Sequence, residues 1–171
     1  MQNRQKNRNK LEMTLLMTPD KVNFSGKVHG GEILKLLDRV AYSCAARYSG
    51  HYVLTLSVDS VVFNEAINVG DLVTFYAGVN YVGRTSMEIG IRVMAENLKT
   101  NESRHCVSCY FTMVAVDGKG KPVAVTPLDP ASETEKRRFQ DAKRRREQRL
   151  GNRDTLIRIC QKSRSITISG I

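Results

Sequence analysis

One aspartate in an otherwise apolar stretch is the first residue of this sequence that requires a chemical explanation. From Ile33 to Tyr48 the apolar residues recur at helical spacing, and Asp38 falls at the edge of their stripe. An ionised carboxylate in apolar surroundings is costly unless something compensates it. Asp38 is therefore either a solvated, outward-facing residue or a working carboxylate that takes up a proton or attacks a substrate.

Two glycines come just before the same stripe. Gly30 and Gly31 fall where the predicted helix begins, and the first N–H groups of a helix have no partner within it. Such N–H groups can hold the oxyanion that forms when a carbonyl is attacked; alternatively, the glycines only permit a tight turn. Two helical turns, roughly 10 Å, separate Gly31 from Asp38, which is too far for both to act on one carbonyl within one chain.

The elements that would position these residues form an α+β pattern. A first strand in KLEMTLLMT precedes a turn-rich loop and the helix, and four long runs with a period of two follow: YVLTLSVDSVVF, DLVTFYAGVNYV, SMEIGIRVMAEN and SRHCVSCYFTMVAVD. Short connections of turn residues predict antiparallel, mostly sequential pairing. One helix cannot cover both faces of the sheet, so we expect a curved sheet wrapped around it and a homodimer that buries the remainder.

The formal charge of +10 is concentrated at the two ends of the chain. Residues 1–10 carry +4 and residues 131–171 carry +7, whereas residues 11–130 carry −1. We therefore predict a basic disordered leader over 1–10, one domain over 11–130, and a basic, partly helical extension over 131–171, with no structure assigned beyond 150. Because the central domain is not basic, nucleic acid is an unexpected partner.

Several other classes of site lack their signatures. The four cysteines have no framework spacing, and Cys106 and Cys109 would point to opposite faces of a strand, so no metal site is predicted. Neither a serine-hydrolase elbow nor a nucleotide-binding glycine loop occurs. The sequence also lacks a run of eighteen apolar residues and a secretory h-region, so we expect a cytoplasmic protein.

A set of residues at characteristic spacing carries a family resemblance. The set comprises Pro19, Asp20, Asn23, Gly26, the triplet His29-Gly30-Gly31, Asp38, Phe63, Gly70-Asp71, Thr85-Ser86 and the segment AVDGKGKP. In this set the sequence resembles the hotdog-fold acyl-CoA thioesterases, of the bacterial YciA type and the cytosolic (brain) acyl-CoA hydrolase type. The similarity extends from residue 11 to about residue 150, including the basic helical segment EKRRFQDAKRRREQRL.

The resemblance implies hydrolysis of acyl-CoA to a free acid and CoA, with no metal or other cofactor. Asp38 of one chain would be the general base, or a nucleophile, facing the helix entry of a second chain. Asn23 would orient the water or the thioester carbonyl, and the Gly31 amide would hold the oxyanion. One departure is Arg39, because the cytosolic hydrolases often carry a second acid there, whereas the YciA type has the single aspartate.

The coenzyme end of the substrate would contact further residues. The resemblance places the VGRTS turn, with Arg84, Thr85 and Ser86, near the pantetheine and nucleotide path. His29 and Gly30 are also expected to bind the substrate. A plain hairpin turn with a solvated arginine is the alternative for the first group. The family commonly assembles as a trimer of dimers, so a hexamer is expected.

Two other functions remain open at this stage. The chain could bind acyl-CoA without turnover, as a regulator whose basic ends contact nucleic acid; the complete set of Asn23, the glycine pair and Asp38 argues against a pure binder. It could also be a hydratase or dehydratase on the same fold. That chemistry usually needs a histidine, and only His29 is suitably placed.

Overall fold

The computed structural model describes residues 8–166, and the side chains as far as Gly151. The chain divides into two compact units, Met1–Asp129 and Pro130–Ile171. The first unit contains β1 (Lys10–Leu16), a 3-10 turn (Pro19–Lys21), α1 (Gly30–Ser49), β2 (Tyr52–Phe63), β3 (Asp71–Val82), β4 (Ser86–Asn97) and β5 (Ser103–Val116). The second unit contains α2 (Glu133–Ile166).

The five strands form one antiparallel sheet in the order β1-β3-β4-β5-β2. The pairing of β3 with β4 and of β4 with β5 is sequential, as predicted. The prediction is wrong for β2, which pairs with β5 at the sheet edge and not with β3. The physical reason is that β1 and β4 occupy the two sides of β3, so β2 cannot pair with β3 and lies at the open edge of β5.

Helix α1 packs on the inner face of this sheet. Its apolar stripe contains Leu37, Val40 and Cys44, all fully buried, and it meets inward side chains such as Phe75 and Phe111. The predicted α+β architecture, a curved antiparallel sheet around one long helix, is confirmed. Burial of this stripe, and not helix propensity alone, is what stabilises a helix of this length in water.

The helix ends are defined by local chemistry. His29 is the N-cap residue, and Gly50 ends the helix in the left-handed conformation, with a φ of 72°. The Gly50 N–H donates to the Ala46 carbonyl oxygen at 2.9 Å, so the last turn is closed. The predicted end of the helix at Gly50 is therefore confirmed.

The two ends of the chain differ from what was predicted for them. Of the expected disordered leader, residues 1–7 lie outside the described part of the chain, and Lys10 already belongs to β1, opposite Gly78. The expected C-terminal helix is present, and α2 continues through the segment for which no structure was assigned, as far as Ile166. Within residues 8–166, neither helix has the length and apolar character that crossing a membrane requires.

Candidate active site

Asp38 lies in the third turn of α1 and faces strand β2. The Thr55 hydroxyl donates a hydrogen bond of 2.7 Å to Asp38 Oδ1, and both side chains are exposed in the single chain. A hydrogen bond to one carboxylate oxygen fixes the plane of the carboxyl group. Oδ2 makes no hydrogen bond to the described residues, so it is available to a water molecule or a substrate.

Thr55 is a candidate site residue that was not predicted from the sequence. A usable signal was present, because the period of two places Thr55 on the same face of β2 as Val53, which is buried against the core. A hydroxyl on the inward face of a strand has to meet the helix that covers that face. In this chain the helix offers a carboxylate there.

Asn23 lies in a tight turn that its own side chain closes. Its Oδ1 accepts hydrogen bonds from the backbone N–H groups of Ser25 (2.9 Å) and Lys27 (3.1 Å) and from the Ser25 hydroxyl (2.7 Å). Gly26 adopts a φ of 77° in this turn, a conformation that favours glycine. Asn23 Oδ1 therefore accepts three hydrogen bonds, and these fix the orientation of the amide group. The amide nitrogen makes no hydrogen bond to the described residues and can donate to another group.

The glycine pair differs from the prediction in one respect. The Gly31 N–H, which was predicted to hold the oxyanion, donates to His29 Nδ1 at 2.9 Å. A histidine side chain can accept at a helix N-terminus as the usual capping residues do, and this use of His29 was not foreseen. The N–H of Gly30, by contrast, makes no hydrogen bond within the described part of the chain.

An aromatic ring lies near Gly30. A Cβ atom on Gly30 would lie 3.8 Å from Cζ of Phe63, the last residue of β2. The Phe63 side chain is 49% exposed, so only one side of the ring packs against the chain. Phe63 thus provides apolar surface near Gly30, and next to such surface a hydrogen bond to a developing negative charge is stronger than in open water.

The predicted coenzyme contacts lie elsewhere in the chain. Arg84, Thr85 and Ser86 form the turn between β3 and β4, closed by a hydrogen bond from the Gly83 N–H to the Ser86 carbonyl oxygen at 2.8 Å. The Arg84 side chain is exposed. The Asn23 turn lies near the beginning of β3, so the twelve residues of that strand, about 40 Å of chain at ~3.3 Å per residue, separate the two features.

The structure therefore forms three groups from the predicted residues. The first contains Asn23, His29, Gly30 and Gly31, the second contains Asp38 with Thr55, and the third is the turn at Arg84–Ser86. The first two groups are chemically complementary, since one offers hydrogen-bond donors and the other a carboxylate.

Cysteine chemistry is disfavoured by the burial of the thiols. Burial raises the pKa of Cys44 and Cys109 to about 12, so neither thiol ionises at neutral pH. Burial also raises the pKa of the Cys106 thiol. Over the part of the chain that the structure describes, three or more His, Cys, Asp or Glu side chains do not gather in a group that could hold a metal ion.

Comparison with known proteins identifies the family. Residues 25–101 match the sequence profile of the thioesterase superfamily. Protein VdlD of Helicobacter pylori is 51% identical over 142 residues, which are 83% of this chain and 81% of the relative. The chain belongs to the thioesterase superfamily.

Other superfamily members extend the comparison. The cytosolic acyl coenzyme A thioester hydrolase of Rattus norvegicus is 36% identical over 132 residues, 76% of this chain and 35% of that longer protein. A hexameric acyl-CoA thioesterase, solved in its apo form, is 37% identical with a TM-score of 0.82, over 85% of this chain and 93% of the other.

An acyl-CoA hydrolase of Staphylococcus aureus has the same fold. Its complex with butyryl coenzyme A, coenzyme A and coenzyme A disulfide has a TM-score of 0.78 at 28% identity, over 90% of this chain and 96% of that one. The S. aureus enzyme has also been solved as variants in which an aspartate, a threonine or an asparagine is replaced by alanine. The predicted hotdog fold and the predicted class, an acyl-CoA thioester hydrolase, are confirmed for this thioesterase; the roles of its individual residues stay predictions.

Proposed function

We propose that this thioesterase hydrolyses acyl-CoA at a centre shared by two copies of the chain, with Asp38 as the general base. Asp38 Oδ2 removes a proton from a water molecule, and the resulting hydroxide attacks the thioester carbonyl carbon. The Asn23 amide nitrogen and the Gly30 N–H of the other copy donate to the oxyanion. The carbon–sulfur bond then breaks, and the proton held by Asp38 passes to the sulfur, which gives the free acid and the CoA thiol.

The hydrogen bond of 2.7 Å from Thr55 to Asp38 is the observation that carries this proposal. A merely solvated surface aspartate does not need a strand hydroxyl to hold its carboxylate. The bond would orient Oδ2 equally well for proton removal and for direct attack on carbon, and of these two roles we propose the base. A single turnover in water enriched in oxygen-18 tests this choice, because a base delivers the label directly to the released acid, whereas a nucleophile first delivers its own oxygen.

The assignment of donors follows from which groups are already occupied. The Gly31 N–H is held by His29, whereas the Gly30 N–H and the Asn23 amide nitrogen are available. In the S. aureus hydrolase the asparagine, the aspartate and the threonine that were replaced by alanine stand 15 and 17 positions apart along the chain. Asn23, Asp38 and Thr55 have the same two separations, which supports a common site.

A second copy would complete the site along strand β2. This strand is at the sheet edge and exposes large apolar side chains, among them Leu54, Leu56, Val58 and Val62. An apolar edge strand with unpaired backbone groups pairs readily with another strand. We propose a dimer formed through β2, and a hexamer of three dimers by analogy with the hexameric thioesterases solved from Yersinia pestis and elsewhere.

The edge can be tested by placing a charge on it. Val58→Lys should convert the assembly to smaller species in analytical ultracentrifugation and lower kcat, because a lysine in the apolar pairing edge opposes association. Leu98→Lys, in the exposed turn after β4, is the matched control and should leave both quantities unchanged. A Val58→Lys protein that keeps the wild-type mass would contradict pairing through β2.

The function itself is tested by a thiol-release assay over a series of acyl-CoA chain lengths. Asp38→Asn should lower kcat by about 10²-fold or more at every chain length, since that is the usual contribution of a positioned base. Asp117→Asn is the control, because Asp117 Oδ1 only accepts turn hydrogen bonds from the Lys119 and Lys121 N–H groups, which an asparagine oxygen also accepts. Unimpaired hydrolysis by Asp38→Asn would refute the assignment. A cytoplasmic location and the absence of a nucleic-acid partner stay predictions.

A further inference from the structure

A buried ion pair lies at one end of the sheet, outside the three groups of candidate site residues. Asp71 begins β3 and Arg104 lies near the start of β5, and the Arg104 guanidinium donates to Asp71 Oδ2. The Asp71 side chain is 3% exposed and that of Arg104 is 20% exposed. Removing two charges from water is costly, so a pair in this position needs a reason beyond general stability.

Both members of the pair also hold the connection between β2 and β3. Asp71 Oδ2 accepts the Asn68 N–H at 2.7 Å, and Arg104 Nη2 donates to the Ala66 carbonyl oxygen at 3.2 Å. The connection is thus fixed at two points by charge-assisted hydrogen bonds, which are stronger and more directional than neutral ones.

The same connection supports the turn that carries Asn23. The Val28 N–H donates to the Ile67 carbonyl oxygen at 2.9 Å, and Lys27 Nζ donates to Asn68 Oδ1 at 2.7 Å. Lys27 in turn closes the Asn23 turn, because its N–H donates to Asn23 Oδ1 (3.1 Å) and its carbonyl oxygen accepts the Asn23 N–H (2.7 Å). An unbroken series of hydrogen bonds therefore leads from Arg104 to the Asn23 side chain.

We propose that Asp71 and Arg104 are positioning residues that hold the Asn23 amide where it meets the thioester carbonyl, an inference that rests on the proposed function. The Asn23 turn is an exposed loop. The connection between β2 and β3 lies outside this turn and holds its Lys27 end. Backbone hydrogen bonds to Cys106 and Met17 also hold the two ends of the connection. If the ion pair is broken, the middle of the connection loses its charge-assisted hydrogen bonds, and the turn that it supports can shift. A displacement of about 1 Å in a group that contacts the transition state can lower the rate about 10²-fold.

A double-mutant cycle on kcat separates this role from a contribution to stability. Asp71→Asn keeps the shape and an acceptor for the Asn68 N–H but removes the charge, and it should lower kcat about 10-fold with little change in KM. If Asp71 acts through Asn23, the same substitution should change kcat less than about 2-fold in an Asn23→Ala protein, because the group it positions is already absent.

Glu65 provides a matched control on the same arginine. Its carboxylate lies 3.8 Å from Arg104 Nε and is 57% exposed, so Glu65→Gln removes a solvated contact and should leave kcat unchanged. Urea unfolding of every variant verifies that the enzyme is folded in the assay. If Asp71→Asn does not fold, Arg104→Lys replaces it in the cycle. A lysine keeps the positive charge but lacks the branched guanidinium group that donates to both Asp71 and Ala66.

Three results would contradict the inference that the ion pair positions Asn23. An equal loss of kcat in the folded wild-type and Asn23→Ala backgrounds would show that the pair affects the rate independently of Asn23 and would overturn the inference. Wild-type kcat in a folded Asp71→Asn protein would overturn it as well. Wild-type kcat in Asn23→Ala would overturn it too, because there would be no positioned group. None of these results affects the base, which fails only if Asp38→Asn remains active.

Discussion

Replacing Thr55 with valine tests whether the hydroxyl contributes to catalysis, because valine keeps the shape and loses only the hydrogen bond. The bond of 2.7 Å to Asp38 Oδ1 joins a hydroxyl to a carboxylate, and such bonds contribute about 1.5–3 kcal/mol when water is excluded. Since about 1.4 kcal/mol corresponds to a tenfold change in rate, kcat should fall about 10- to 150-fold. KM should hardly change, because on the proposed mechanism Thr55 contacts the base, Asp38, and not the substrate.

The free energy of unfolding gives the contrasting measurement. Both side chains are exposed in the single chain, so water can replace the lost bond, and Thr55→Val should alter stability by less than about 0.5 kcal/mol. Thiol release with one acyl-CoA at saturation, together with urea unfolding, gives both quantities. Thr55→Ser keeps the hydroxyl and should retain most of the activity. Wild-type kcat in Thr55→Val, or an equal loss in Thr55→Ser, would refute the reasoning.

Two further predictions concern the folded chain. Gly90→Ala should lower the free energy of unfolding in urea by about 1–3 kcal/mol, because the new Cβ would lie 2.4 Å from Asn80 Nδ2. A buried hydrogen bond to Glu88 holds that Asn80 side chain in place. Gly78→Ala is the control and should lower the free energy of unfolding much less, because the nearest atom to its Cβ would be 3.7 Å away. The free energy of unfolding should also decrease as the pH rises from about 9 to 12. Burial raises the pKa of the Cys44 and Cys109 thiols to about 12, so over this range they stay protonated in the folded chain but ionise in the unfolded chain. A protein with both Cys44→Ala and Cys109→Ala should show a shallower decrease.

Periodicity predicted the elements well, because each element's pattern is local. The spacing from Ile33 to Tyr48 determines a helix with one apolar face, and four alternating runs determine strands. Strand partners depend on which edges remain open, and this is not a local property. The sequence therefore could not indicate that β1 takes one side of β3 or that β2 pairs with β5.

For the candidate site, too, some features could be predicted from the sequence and others could not. Asp38, Asn23 and the glycine pair could be selected from residue type and spacing, and the resemblance joined them into one hypothesis. The capture of the Gly31 N–H by His29 depends on a side-chain rotamer, and histidine is not among the residues that favour N-caps. Thr55 was missed because threonine is also common in strands for its shape alone.

Within one chain, the Asn23 amide and the Gly30 N–H are held apart from the Asp38 carboxylate, and this separation connects the fold to the proposed function. If Asn23 and Asp38 met in the same chain, the amide would bond the carboxylate and neither would be available to a substrate. Because α1 and β2 hold the acid apart from the Asn23 turn, each half keeps an unused group: Oδ2 on one side, and the amide nitrogen and the Gly30 N–H on the other. Strand β2 carries Thr55 on its inward face and forms the apolar edge at which, on the proposed mechanism, a second copy pairs. The same strand would then orient the base and bring the two halves together, so catalytic activity should require assembly.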